Sequence, residues 1–170
     1  MKTLILYTTK HGTTTKCAEQ LAKKFPGQVD VMKLSDNHPE MTGYDTVILG
    51  GSIYAGKIQK EMKAFCSSYI DTLKRKRLGL FLCCMSVDQA AAELKASFPD
   101  ELFVHATATG RLGGGYKFSD MGFFEKMMIK GILKKEAKKA GKPTDTIGKS
   151  DTVEISDAEI TRFAAAMIKG

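Results

Sequence analysis

Near the start of the chain, Thr8-Thr9-Lys10-His11-Gly12-Thr13-Thr14 brings four threonine hydroxyls and a glycine into seven residues. The run follows the apolar stretch Leu4, Ile5, Leu6 and Tyr7 and precedes Ala18, Leu21, Ala22 and Phe25 at helical spacing. It therefore lies where a first strand gives way to a first helix. Amides at a helix start are unpaired and the macrodipole is positive there, so a phosphate gains several hydrogen bonds without an obligatory cation. Thr and Gly are also ordinary turn and cap residues, and the loop taken alone is equally compatible with a plain turn. Its spacing matches neither G-x-x-x-x-G-K-[ST] nor G-x-G-x-x-G, which argues against a nucleoside triphosphate or a dinucleotide. A phosphate monoester fits better.

The elements that must position this loop follow from hydrophobic periodicity. Val47-Ile48-Leu49, Leu80-Phe81-Leu82 and Leu102-Phe103-Val104 are continuous apolar runs, as expected of parallel strands buried on both faces. Val29, Val31, Met32 and Leu34 are interrupted by Asp30 and Lys33, which suits an edge strand. One long helical stripe is expected through Ile58, Met62, Phe65, Cys66, Tyr69, Ile70 and Leu73, and shorter ones through Val87, Ala91, Leu94 and Phe98 and through Ile160, Phe163, Ala164, Met167 and Ile168. Ser156-x-x-Glu159 has capping-box spacing before the last stripe. Strands alternating with helices predict an α/β fold, a doubly wound five-stranded parallel sheet. With 170 residues, 43% of them hydrophobic and 26% charged, the chain is expected to form a single domain over 1–170. A helical insertion, residues 111–150, follows the fifth strand, and Gly113-Gly114-Gly115 at its start reads as a flexible patch.

The strand and loop Ile5-Leu6-Tyr7-Thr8-Thr9-Lys10-His11-Gly12-Thr13-Thr14, with Ala18 and Leu21 behind it, resembles the FMN-phosphate signature of the flavodoxin family. The resemblance implies the strand order 2-1-3-4-5 and noncovalent FMN as cofactor. It makes Thr9, His11, Gly12, Thr13 and Thr14 phosphate contacts, with Lys10 close by. It places Ser52, Ile53, Tyr54, Ala55 and Gly56 in a loop against the flavin ring, where the flat face of Tyr54 is able to stack. Cys84, Met85 and Ser86 fall in the second loop flanking the flavin. Farther on, Met127-Met128-Ile129-Lys130 to Gly141-Lys142-Pro143-Thr144-Asp145-Thr146, and then the final helix, resemble the tail of the flavodoxin-like menaquinone-dependent protoporphyrinogen oxidases. Ile53-Tyr54-Ala55-Gly56 and Gly113-Gly114-Gly115-Tyr116 depart from that family's usual pattern.

Two functional classes follow from the resemblance. One is an enzyme that oxidises an anionic small-molecule substrate and passes electrons to quinone; the other is a soluble carrier serving redox partner proteins. A formal charge of +7 weighs against the carriers of the family, which are typically acidic. It does not imply nucleic acid, because no aromatic platform or recognition-helix motif accompanies it. Phe123, Phe124, Met127, Met128, Ile132 and Leu133 form an apolar helix face beside Lys126, Lys130, Lys134, Lys135, Lys138 and Lys139. Such a helix can make a peripheral contact with an anionic membrane or dock onto its own domain. Cys17, Cys66, Cys83 and Cys84 show no metal-ligand spacing and are expected as buried free thiols, with no metal site. No apolar run reaches the roughly 20 residues of a membrane span, and polar residues come early for a signal peptide. A cytoplasmic location, with the inner membrane face as the place of any peripheral contact, is the expectation.

Overall fold

Residues 1–34 and 39–170 are described by a computed structural model. In chain order the elements are β1 (Lys2–Tyr7), α1 (Thr13–Ala22), β2 (Gln28–Lys33), β3 (Thr46–Ser52), α2 (Lys60–Ser68), α3 (Ile70–Leu73), β4 (Arg77–Cys83), α4 (Ala90–Ser97), α5 (Asp100–His105), β5 (Ala108–Tyr116), α6 (Phe123–Lys139), β6 (Thr152–Ile155) and α7 (Asp157–Lys169). The sheet runs β2-β1-β3-β4-β5-β6. Its first five strands are parallel, in the expected order, and β6 joins β5 antiparallel. β2 takes the edge position that its charged residues suggest.

Alternation along the central strands divides the core between the two faces of the sheet. Leu4, Leu6, Val47, Leu49, Leu78, Leu80 and Leu82 pack with Met62, Phe65, Leu94 and Leu102 on one face. Ile5, Ile48, Phe81 and Cys83 pack with Cys17, Leu21, Ile160, Phe163 and Met167 on the other. Phe81 meets Phe163 edge to face at 6.4 Å between ring centroids, which locks α7 against the sheet.

Several expectations are corrected. Leu102-Phe103-Val104 is not a strand but part of α5, where only Leu102 is fully buried and Val104 is 85% exposed. A three-residue apolar run carries no period, and Pro99 at the N-cap with Asp100 and Glu101 in the first turn favours a helix start. The fifth strand is instead Ala108–Tyr116, so the insertion begins after Tyr116. Gly113-Gly114-Gly115 is no flexible patch: a side-chain carbon at Gly114 would lie 2.3 Å from the Cys84 carbonyl oxygen, and one at Gly113 2.5 Å from that of Glu154. These glycines let neighbouring backbones approach. The long stripe from Ile58 is broken at Tyr69, with φ −120°, between α2 and α3. Val87 lies outside α4 and is 65% exposed. The Ser156 hydroxyl accepts from the Glu159 amide at 3.3 Å, but the Ser156 amide donates to the Leu112 carbonyl, so half of the capping box forms.

The two kinds of glycine separate in stability. Gly114→Ala forces a side-chain carbon into backbone and is expected to cost about 1–3 kcal/mol. Gly131, inside α6 with open space around it, should gain up to about 1 kcal/mol when replaced by alanine. Denaturant unfolding of the two variants checks both signs.

Candidate functional site

At the C-terminal ends of β1, β3 and β4 the loops leave a cleft of about 1110 Å³. Parallel strands direct their carboxyl ends and the following helix starts toward one edge, and this is where α/β sheets bind ligands. Thr9, Lys10, His11, Thr13, Ser52, Ile53, Tyr54, Ala55, Gly56, Cys84, Met85 and Ser86 all line the cleft. Gly12 and Thr14 adjoin these residues in the same loop without lining the cleft themselves. Gly12 caps α1 with φ +81°, a left-handed conformation that a glycine adopts without strain. Its amide donates to Thr9 Oγ1 at 3.0 Å, so Thr9 shapes the loop from within.

Two hydroxyls in this loop are conspicuous for what they lack. Thr13 Oγ1 and Thr14 Oγ1 are buried without a hydrogen-bond partner, and no side chain caps the start of α1. Burying an unpaired hydroxyl costs roughly 1–3 kcal/mol, which an anion at the helix start would offset. The loop thus fits a phosphate through hydroxyls and amides. Thr8 points elsewhere, donating to Gln59 Oε1 at 2.8 Å. Gln59 also accepts from the Ser52 amide and donates to Ser52 Oγ, tying the ends of β1 and β3 together.

The charged members of the loop are held by a residue from the insertion. Glu125 Oε1, in the first turn of α6, lies 2.9 Å from Lys10 Nζ and 3.0 Å from His11 Nε2. Lys10 Nζ also stands 3.5 Å from the centre of the Tyr54 ring, which brings the Tyr54 phenol into the same cluster as Glu125. Burial alone would raise the Glu125 pKa. Hydrogen bonds from Lys10, Tyr54 and His11 outweigh that effect and hold the carboxyl down at about 2. The Tyr54 phenol is raised, by burial first and then by Glu125.

Tyr54 begins a tight turn: its amide and carbonyl pair with those of Lys57, while Ala55 and Gly56 have φ of +49° and +76°. Positive φ at both central residues marks a type I′ turn, and at Ala55 it is strained. The second flanking loop is fixed by backbone and by Arg111. The Cys84 amide donates to the Gly113 carbonyl, and Arg111 Nε donates to the Cys84 carbonyl at 2.7 Å. All four cysteines are buried free thiols, as expected. Burial, and then Glu93 beside it, pushes the Cys84 thiol up to about 12, which suits a packing role.

Gln59, Arg111 and Glu125 are absent from the residues singled out by sequence. Glu125 has a legible signal, an acid in the first turn of a lysine-rich helix; Gln59 has none. Within the described residues, no group of three or more His, Cys, Asp or Glu side chains is arranged to hold a metal ion. The apolar face of α6 is only partly docked. Ile129 is buried and Leu133 half-buried, against Phe118 and Met121, while Phe123 and Phe124 are 73% and 83% exposed.

This combination of a doubly wound sheet, an uncapped threonine loop after β1 and two flanking loops after β3 and β4 defines a phosphate-anchored cofactor domain. A flavodoxin-domain family model matches residues 4–145, and the chain belongs to that family. Membership bears out FMN as the cofactor expected from the Thr8–Thr14 loop. No curated protein matches the sequence. Among solved structures, a WrbA-like flavodoxin protein from Agrobacterium tumefaciens is 14% identical over 99% of this chain and 98% of its own, with a TM-score of 0.51. The Flv1 flavodiiron core from Synechocystis sp. PCC6803 is 17% identical over 65% of this chain and 30% of its own, with a TM-score of 0.50. The rubredoxin oxygen:oxidoreductase of Desulfovibrio gigas is 17% identical with a TM-score of 0.45, and this chain spans only 37% of its length. Identities this low bear on the fold alone.

The Glu125 carboxylate gives a direct check. Because its folded pKa is depressed, its contribution to stability is present above its ordinary value of 4.5 and is lost as pH falls toward about 2. In carboxyl-carbon NMR the Glu125 resonance should titrate with a midpoint near 2, and Lys10→Met should move that midpoint upward.

Proposed function

We propose that the chain is an FMN-dependent oxidoreductase, related to the quinone-dependent protoporphyrinogen oxidases, that oxidises an anionic small molecule. One observation carries this reading: the insertion supplies a wall of the cleft, through Ile129, Ile132, Leu133, Ala137 and Ala140. A carrier exchanging electrons at an exposed flavin edge has no need of such a wall, whereas an enzyme uses one to enclose a small substrate and exclude water. Lys139 and Lys142 on the same lining offer charge to an anionic group. The resemblance of residues 127–146 to the oxidases supports the same reading.

When bound, FMN supplies two-electron redox chemistry. The chain's own contribution begins with Thr13 and Thr14, whose unpaired hydroxyls and neighbouring amides hold the phosphate. Tyr54 offers a flat face on one side of the cleft, and the Cys84–Ser86 backbone, braced by Arg111, forms another edge. On the outer side of α6, exposed Phe123, Phe124, Met127 and Met128 beside Lys126, Lys130 and Lys134 suit an anionic bilayer, where a quinone acceptor would be met. No helix among the described residues is long and apolar enough to cross a membrane.

Thr13→Val with Thr14→Val should lower FMN affinity on the order of a hundredfold or more, since each hydroxyl bond to a charged acceptor is worth about 1.5–3 kcal/mol. Stability without flavin should hold or rise, because the orphaned hydroxyls are removed. Isothermal titration and thermal unfolding read the two effects. Stopped-flow mixing of the FMN-loaded protein with protoporphyrinogen, menaquinone or reduced ferredoxin tests the wider reading. Flavin reduction by protoporphyrinogen and reoxidation by menaquinone support it; exchange with ferredoxin alone assigns a carrier. Co-sedimentation with acidic vesicles, lost at high salt and in a Lys130, Lys134, Lys135, Lys138 to Glu variant, is the expected behaviour of α6 at a membrane.

A further inference from the structure

Helix α6 stands on slender support. Of its seventeen residues only Ile129 is fully buried, and its apolar attachment is a small satellite cluster with Phe118, Met121, Leu133, Tyr54 and Tyr116. Among the described residues, every ion pair from α6 to the rest of the chain is made by Glu125. One carboxylate oxygen there accepts from both Lys10 and His11, in the loop after β1, and Lys10 in turn stands 3.5 Å over the ring of Tyr54, in the loop after β3. Three separate walls of the cleft meet at this one group.

We propose that Glu125 is the latch of a lid: it holds α6 closed as a wall of the cleft, and release of its contacts lets α6 swing away to admit and discharge what the cleft binds. The apolar cluster is too small to hold the helix rigidly. A charged hydrogen-bond hub, 19% exposed at Glu125 and 13% at His11, is strong enough to close it and limited enough to open. Closure also has a consequence inside the cleft. The Lys10 ammonium that Glu125 anchors covers one face of the Tyr54 ring, so the latch sets both the outer wall and the ring that the flavin is expected to meet. The latch stands on geometry alone; only the identity of the molecule it admits rests on the FMN reading.

Trypsin reports the open state, because residues 126–142 carry cleavable lysines at 126, 130, 134, 135, 138 and 139, Lys142 being protected by Pro143. Digestion of the full chain, stripped of flavin and again with saturating FMN, is followed by mass spectrometry for wild type, Glu125→Gln and Lys10→Met. Cleavage of residues 126–142 should rise about tenfold or more in Glu125→Gln when opening is fast relative to cutting, with cleavage after Lys63 and Lys95 unchanged. Lys10→Met should raise it less, and the double variant should match Glu125→Gln alone, since both substitutions remove the same contact. Equal rates in wild type and Glu125→Gln, or acceleration at all lysines together, would overturn the latch. FMN dissociation measured by fluorescence should also quicken in Glu125→Gln. If FMN fails to bind at all, the flavin-free digestion still decides the latch, and the failure falls on the cofactor reading.

Discussion

A side-chain carbon at Gly115 would lie 2.9 Å from the Thr13 hydroxyl, as one at Gly114 would lie 2.3 Å from the Cys84 carbonyl. β5 therefore threads between the loop that starts α1 and the loop that ends β4, with no side chains to separate them. The β5 backbone meets the Thr13 hydroxyl on one side and the Cys84 backbone on the other, and these contacts set the distance between two walls of the cleft. Arg111, one turn of the pleat earlier, reinforces the spacing by reaching the Cys84 carbonyl while pairing with Glu154 on β6. The cleft depends on this close approach more than on any cluster of functional side chains.

The second determinant is the distribution of charge. The chain is basic overall, yet the threonine loop after β1 does not present its cations freely, because Lys10 and His11 are engaged by Glu125. On the proposed reading, phosphate recognition falls to neutral donors, the Thr13 and Thr14 hydroxyls and the helix-start amides. Neutral donors fix an anion by direction and distance, so they impose geometry where a free lysine would supply only attraction.

Legibility followed burial. β1, β3 and β4 lie in the middle of a parallel sheet, are covered on both faces, and appear in the sequence as continuous apolar runs; the threonine loop and the edge position of β2 were equally visible. β5 was hidden because its role is to be thin: glycines carry no hydrophobic signal, and Leu102-Phe103-Val104 nearby imitated the strand that they form. β6 has four residues, three of them exposed, and left no pattern to read. Glu125 lies 114 positions from His11, a pairing that topology creates and no local spacing encodes. The insertion was visible as an amphipathic helix, but its docked face is Ile129 and Leu133, not the more conspicuous pair Phe123 and Phe124.

The two margins of the sheet differ in build but share a property. β6 is short, antiparallel to its neighbour and carries Glu154 engaged with Arg111. At the other margin, Asp30 of β2 receives the Tyr44 hydroxyl at 2.7 Å and pairs with Lys2, while Lys33 closes the strand. An unpaired strand edge is a template on which another chain can add a strand, and charge placed along it discourages that growth. The sheet is thereby finite by design of its borders: concentrated solutions of the folded chain should resist edge-to-edge fibril formation even though its central strands are as apolar as those of aggregating peptides.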